Sequence, residues 1–194
     1  IYLFKYVVSN LLLASSLLNH TQQEIWRYAV VTTGAHTVDT HDMGFIMNQQ
    51  VLNVTNQQIA EIYSLTKELP KCPVYCGGPV MTDRCTIVHS NDYKNEDTRL
   101  FNPHCSLTFN DTLVEDIGRG QGPRQWKVML GHCQWHDGQL DAEISRPGGW
   151  LEQPWHHIAW GGYRRKEKMW RRLVEITTQV DATLFLDSVW QPQR

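Results

Sequence analysis

Apolar and polar positions along this chain fall into short segments whose period changes repeatedly. "IWRYAVVTT" (Ile25 to Thr33) is dense in aromatic and β-branched residues and predicts a strand. "HTVDTHD" follows as a polar loop, and "MGFIMN" (Met43 to Asn48) predicts a second strand paired with the first. Upstream, "LLLASSLL" reads as a buried strand. Lys5, Ser9 and Asn10 interrupt the opening apolar run, so it lacks the roughly 18 uncharged apolar residues of a membrane-spanning helix. The chain opens on Ile1 rather than Met, from which a processed or trimmed form is expected.

Further along, "TNQQIAEIYSLTKEL" sets a cap residue before Ile59, Ile62, Tyr63 and Leu65 at helical spacing, and Pro70 ends it. "PVYCGGPV" and "RCTIVHS" predict short strands joined by a Gly-Pro turn, and "SNDYKNEDTRLFNPH" a polar excursion. "FNDTLVEDIGRGQGP" predicts a helix capped by Asn110 or Asp111, with Leu113, Val114 and Ile117 on its apolar side. "WKVMLGHCQW" and "QLDAEI" read as two strands of a hairpin turning at His136-Asp137-Gly138. In that reading Leu140, Ala142 and Ile144 point inward, while Gln139, Asp141 and Glu143 face water. A helix from about Arg164 to Gln179 and a closing strand at "TLFLDSV" complete the pattern. Strands and helices alternate irregularly, so the fold class expected is α+β, with residues 1–194 forming one domain.

Composition adds three constraints. With 41% hydrophobic and 20% charged residues, 194 residues can bury a real core, and a net charge of -2 excludes a uniformly basic nucleic-acid binder. The charge is uneven: "RRKEKMWRR" (Arg164 to Arg172) holds six basic residues and one acidic, a local +5 that leaves -7 for the remainder. The five cysteines are an odd number in a chain too large to need stapling. They imply reduced thiols, no disulfide framework, and a cytoplasmic or organellar-matrix location, mitochondrial or plastid if the source is eukaryotic.

Four segments occur in a telling order: "MGFIMN", "PVYCGGPV" (Pro73 to Val80), "CTIVH" (Cys85 to His89) and "LGHCQWHDGQLDAEISRPGGWL" (Leu130 to Leu151). Together they resemble the signature of the bacterial AlgH (YqgE) family over about residues 11–188. Gly44, Asn48, Gly77, Gly78, Pro79, His89, Gly131, Trp135, Gly138, Gln139, Leu140, Glu143 and Trp150 stand at its motif positions. The match departs at Gln49, Gln50, Gln134 and Gly149, and Cys76 stands where the family typically has arginine, marking a remote member. The resemblance implies a mixed α+β structure whose bifurcated sheet curls into a pseudo-barrel with flanking helices. It implies no established biochemical activity. A gene-regulatory role, as suggested for AlgH, is one alternative, although no helix-turn-helix or other DNA-reading motif is visible.

Two readings of the reactive residues compete. His132, Cys133, His136 and Asp137 crowd together, but neighbours in a strand point to opposite faces and cannot wrap one ion, so no metal or cofactor is expected. A thiol- or metal-dependent enzyme would have to use Cys76 or Cys133, with His89 or His132 as base. The double glycine after Cys76 lacks the Gly-Lys-Ser/Thr ending of a phosphate loop. Against this stands the C-terminal third, where "WLEQPWHHIAWGGYRRKEKMWRR" alternates aromatic and basic residues, a composition suited to contact surfaces. The leading expectation is therefore a non-enzymatic binding or assembly subunit. It would contact a protein, with RNA as an alternative partner, through Trp155, Trp160, Arg164, Arg165, Lys166, Lys168, Arg171 and Arg172.

Overall fold

The computed structural model describes residues 10–15, 24–35, 41–52, 54–62, 66 and 69–189. Its strands are β1 (Asn10–Ala14), β2 (Val30–Ala35), β3 (Asp42–Ile46), β4 (Gln50–Val51), β5 (Val74–Cys76), β6 (Val80–His89), β7 (Arg99–Asn102), β8 (Cys105–Thr108), β9 (Trp126–Trp135) and β10 (Trp150–Pro154). The helices are α1 (Asn56–Ile62), α2 (Asp111–Gly118), α3 (Gln139–Ser145) and α4 (Lys166–Val189). The mixed α+β class is as expected.

The strands form one sheet in the order β10-β1-β2-β3-β9-β6-β8-β7, with β5 and β4 branching from β9. β9 is the root of the fork. One of its edges is taken by β6; along the other, β5 pairs in parallel at Val128 to Leu130 and β3 pairs antiparallel at Cys133 to Trp135. Gly77 bridges the two branches: its carbonyl accepts from the Ile46 amide at 2.8 Å, and its own N–H donates to the Leu130 carbonyl at 2.8 Å. The sheet also curls, bringing β7 against β2. Asn102 donates from Nδ2 to the Thr32 hydroxyl at 3.0 Å and the Thr33 carbonyl at 2.9 Å. Glycine at position 34 lets the Phe101 backbone come this close, since a Cβ there would lie 2.3 Å from the Phe101 oxygen.

β1 shows why Leu11 to Ala14 are uninterruptedly apolar. Leu11 and Leu13 pack with Met169 and Leu173 of α4, while Leu12 and Ala14 pack with Trp135, Leu140 and Trp150 on the opposite face. A strand covered on both sides has no polar face to show. The remaining part of "LLLASSLL" from residue 16 lies outside the described residues. α2 forms as its sequence predicts: the Asn110 side chain accepts from the Leu113 amide, and Leu113 and Val114 are buried against Ile87 and Val128.

Four expectations are corrected. Residues 24–28 are a turn, and the strand expected over Ile25 to Thr33 begins only at Val30; it pairs antiparallel with β3 as anticipated. The polar excursion after His89 contains β7. The closing strand at "TLFLDSV" is instead helix, because α4 continues unbroken to Val189. Most consequentially, "QLDAEI" is helical. Gly138 adopts the left-handed region at φ 72° and starts a helix rather than turning a hairpin. The Gln139 side chain accepts from the His136 amide at 3.0 Å and donates to Glu143 one turn later at 2.8 Å. Gln, Leu, Ala and Glu are all good helix formers, and the segment pairs with no strand among the described residues.

Candidate functional site

The basic-aromatic region begins where β10 ends at Pro154. A 3-10 turn over His157–Trp160 and Gly161-Gly162 then lead into α4. Its tryptophans are tucked in. The Trp155 ring stacks on His104 with centroids 5.2 Å apart, Trp160 meets Trp155 edge-on at 5.7 Å, and both pack against the cluster of Phe45, Tyr75, Phe101 and Met129. Trp170 donates its indole N–H to the Ala14 carbonyl at 2.8 Å.

The cations divide into two sets. Lys166 donates to the Glu24 carbonyl at 2.5 Å, and its own carbonyl accepts from Asn48, whose side chain also accepts from the Val30 amide. Arg171 pairs with Glu167 at 2.6 Å and Arg172 with Glu175 at 3.6 Å. Arg164, Arg165 and Lys168 are exposed and form no ion pair among the described residues. Sequence spacing signals this division in part, because Glu167 and Arg171 are four apart on a helix.

Under this segment lies a lysine that the sequence does not single out. Lys127 of β9 is 2% exposed; its amine donates to the Met47 carbonyl at 2.6 Å and the Gly161 carbonyl at 3.0 Å, and sits 4.2 Å above the Tyr75 ring. The amine thus ties the loop after the 3-10 turn to the end of β3. Burial pushes its pKa from 10.5 down to about 7. As pH falls from 10.5 towards 7, the unfolded chain takes up a proton that the folded amine does not, so this residue makes folding less favourable on acidification through that window. Below about 7 its effect is constant. In a Lys127→Met variant that slope is expected to vanish, read as the wild-type-minus-variant difference in urea unfolding free energy at pH 7, 8.5 and 10.

Burial disfavours the thiolate in four of the five thiols. Cys133 is 1% exposed, with Sγ 3.4 Å from the Gly77 carbonyl, and burial pushes its pKa far above the ordinary thiol range. The same effect raises Cys72 to about 11 and both Cys85 and Cys105 to about 12. Cys76 is half-buried, its Sγ 3.8 Å from the Gly78 carbonyl. His89 is fully buried, with Nδ1 bonded to the Ser90 carbonyl at 2.9 Å and Nε2 to the Thr108 hydroxyl at 3.0 Å; burial holds its pKa below the usual value. An imidazole so engaged has no nitrogen left to take a proton from Cys76. His132 lines a surface groove while its neighbour Cys133 sits in the core. Among the described residues no three His, Cys, Asp or Glu side chains are arranged to hold a metal ion, and no helix is long and apolar enough to cross a membrane.

Comparison with known proteins bears on the whole arrangement. The family described as AlgH-like matches residues 11–179. The chain belongs to the AlgH-like family. A UPF0301 protein of Methylococcus capsulatus is 34% identical over 131 residues, covering 67% of this chain and 71% of the relative. One from Gluconobacter oxydans is 29% identical over 189 residues, covering 94% and 96%. The solution structure of the AlgH protein from Pseudomonas aeruginosa superposes with a TM-score of 0.68 at 20% identity, covering 100% of this chain and 99% of that one. A crystal structure of a Corynebacterium diphtheriae protein gives 0.61 at 14% identity, covering 85% and 84%. These two likenesses concern the fold.

Eight of the thirteen residues at the expected motif positions fall into two structural groups. Gly77, Gly78 and Gly131 pack backbone on backbone at the fork, followed by exposed Pro79. Trp135, Gln139, Glu143 and Trp150 form a clasp: Glu143 accepts both indole N–H groups on Oε2, at 3.1 Å from Trp135 and 2.9 Å from Trp150, while Oε1 takes the Gln139 amide. Glu143 is therefore a half-buried acceptor rather than part of a solvated strand face. Leu140 is buried as expected, Ala142 is exposed, and Gly44 lies in contact with Val31 and Trp135.

Proposed function

We propose that this chain is a non-enzymatic binding or assembly subunit that docks an acidic protein surface against Arg164, Arg165 and Lys168. One observation carries the reading: three exposed cations stand at the entry to α4 with no ion pair among the described residues, while Arg171 and Arg172 are already balanced by glutamates. Unbalanced rim charges steer association with a surface of opposite sign. The buried thiols and engaged His89 support binding over nucleophilic catalysis, and reduced thiols suit a cytoplasmic or organellar-matrix setting.

Protein is favoured over RNA because the aromatic rings are committed. Trp155 is stacked on His104 and Trp170 is bonded to β1, whereas single-strand binders hold ring faces open to bases. The test is a pull-down from the native source with wild type and with Arg164→Glu, Arg165→Glu and Lys168→Glu combined. Partner recovery is expected to fall about tenfold and to weaken with added salt in the wild type. Recovery equal to wild type counts against the reading, and recovery abolished by ribonuclease transfers it to RNA.

A further inference from the structure

β6 and β9 run antiparallel, but their register breaks. Val80 opposes His132 and Cys85 opposes Leu130, so Met81 to Arg84 loop outward opposite the single residue Gly131. Gly131 permits this with φ 67°, its backbone pressed against the Gly78 and Val80 carbonyls. Met81 adopts φ 50° with 47% of its surface exposed. A left-handed residue other than glycine costs about 1–2 kcal/mol, and such strain gathers where a protein holds a special local shape.

The bulge walls a cavity of about 390 Å³ that faces the start of β3 and the end of β9. This lies within the size range of small-molecule sites, about 300–1,000 Å³. Arg84, His41, His132 and Gln134 bring polar groups to it, and Met43 and Met81 apolar ones; among the described residues no carboxylate lines it. Among the described residues Arg84 forms no ion pair, and the buried His41 Nδ1 has no hydrogen-bond partner. A buried nitrogen without a protein partner is a group that a ligand can satisfy. The guanidinium fork matches two oxygens of one oxyanion, and imidazoles add further donors.

We infer that this cavity binds a small molecule bearing an oxyanion, phosphate or carboxylate, on an apolar body that rests against Met43 and Met81. The inference concerns different residues from the acidic-partner reading and stands without it.

Titration of the labelled protein at low ionic strength, followed by amide NMR shifts, tests it. Inorganic phosphate is the probe in one arm and succinate in the other. At least one is expected to give saturable shifts centred on Gly131 to Gln134 and Met81 to Arg84. The arm that saturates at lower concentration identifies the oxyanion. Arg84→Gln should weaken binding at least about fivefold, Arg84→Lys should fall between, and Arg164→Gln should bind as wild type does. Because Arg84 is exposed, an unchanged unfolding midpoint checks that each variant is folded. Non-saturating shifts in both arms, shifts centred elsewhere, or equal affinity in Arg84→Gln overturn the inference.

Discussion

Gly131→Ala is expected to lower folding stability by about 3–5 kcal/mol, measured by urea unfolding. Two costs combine. At φ 67° an alanine meets the left-handed penalty, and its Cβ would lie 2.7 Å from the Gly78 oxygen and 2.8 Å from that of Val80. Both neighbours are backbone and belong to paired or bridging segments, so neither can swing aside. Gly120→Ala is the control: it shares the positive φ, at 73°, but has nothing within 4 Å of the new methyl. It should lose only about 1–2 kcal/mol. Equal losses at the two sites would show that crowding at the fork contributes nothing.

Glu143→Ala is expected to cost about 2–4 kcal/mol, because it leaves two indole N–H groups without their acceptor inside a packed cluster. Trp135 and Trp150 are 4% and 5% exposed, so solvent reaches them poorly as a substitute. Glu143→Gln separates acceptor loss from shape loss. Its amide oxygen can occupy the Oε2 position and keep both indole bonds, leaving only the Gln139 amide opposite another donor. That variant should lose no more than about 1.5 kcal/mol. Urea midpoints measure both, and indole fluorescence reports whether the tryptophan pair separates. A glutamine variant as unstable as alanine would show that charge, rather than the acceptor, holds the clasp.

The parts of this fold legible in the sequence were those whose local pattern admits one solution. α2 announces itself through Asn110 and the Leu113–Val114–Ile117 face, and β9 through the apolar run Val128 to Leu130 between flanking tryptophans. α3 was not legible, because Asp-Gly serves equally to turn a hairpin or to begin a helix. Leu140 and Ile144 are both even-spaced and four apart, so they satisfy either period. Ala142 was the residue that differed, and an alanine is too small to declare a face. Lys127 was invisible for a different reason: a lysine in a strand reads as solvent-facing, and only the return of Gly161 over β9 buries it. The cavity at Arg84 was equally hidden. It arises from a register break between β6 and β9, and register is a property of two segments rather than one.

The pairing of β1 with β10 also bears on how the molecule assembles. Leu12 lies opposite Glu152, so one border of the apolar ribbon Leu11 to Ala14 stays open until about 140 further residues have left the ribosome. Topologies dominated by such distant partners form slowly, and a nascent segment with an unoccupied border invites association with other chains. Residues Leu11 to Leu13 are thus a stretch that a chaperone has reason to shield during synthesis.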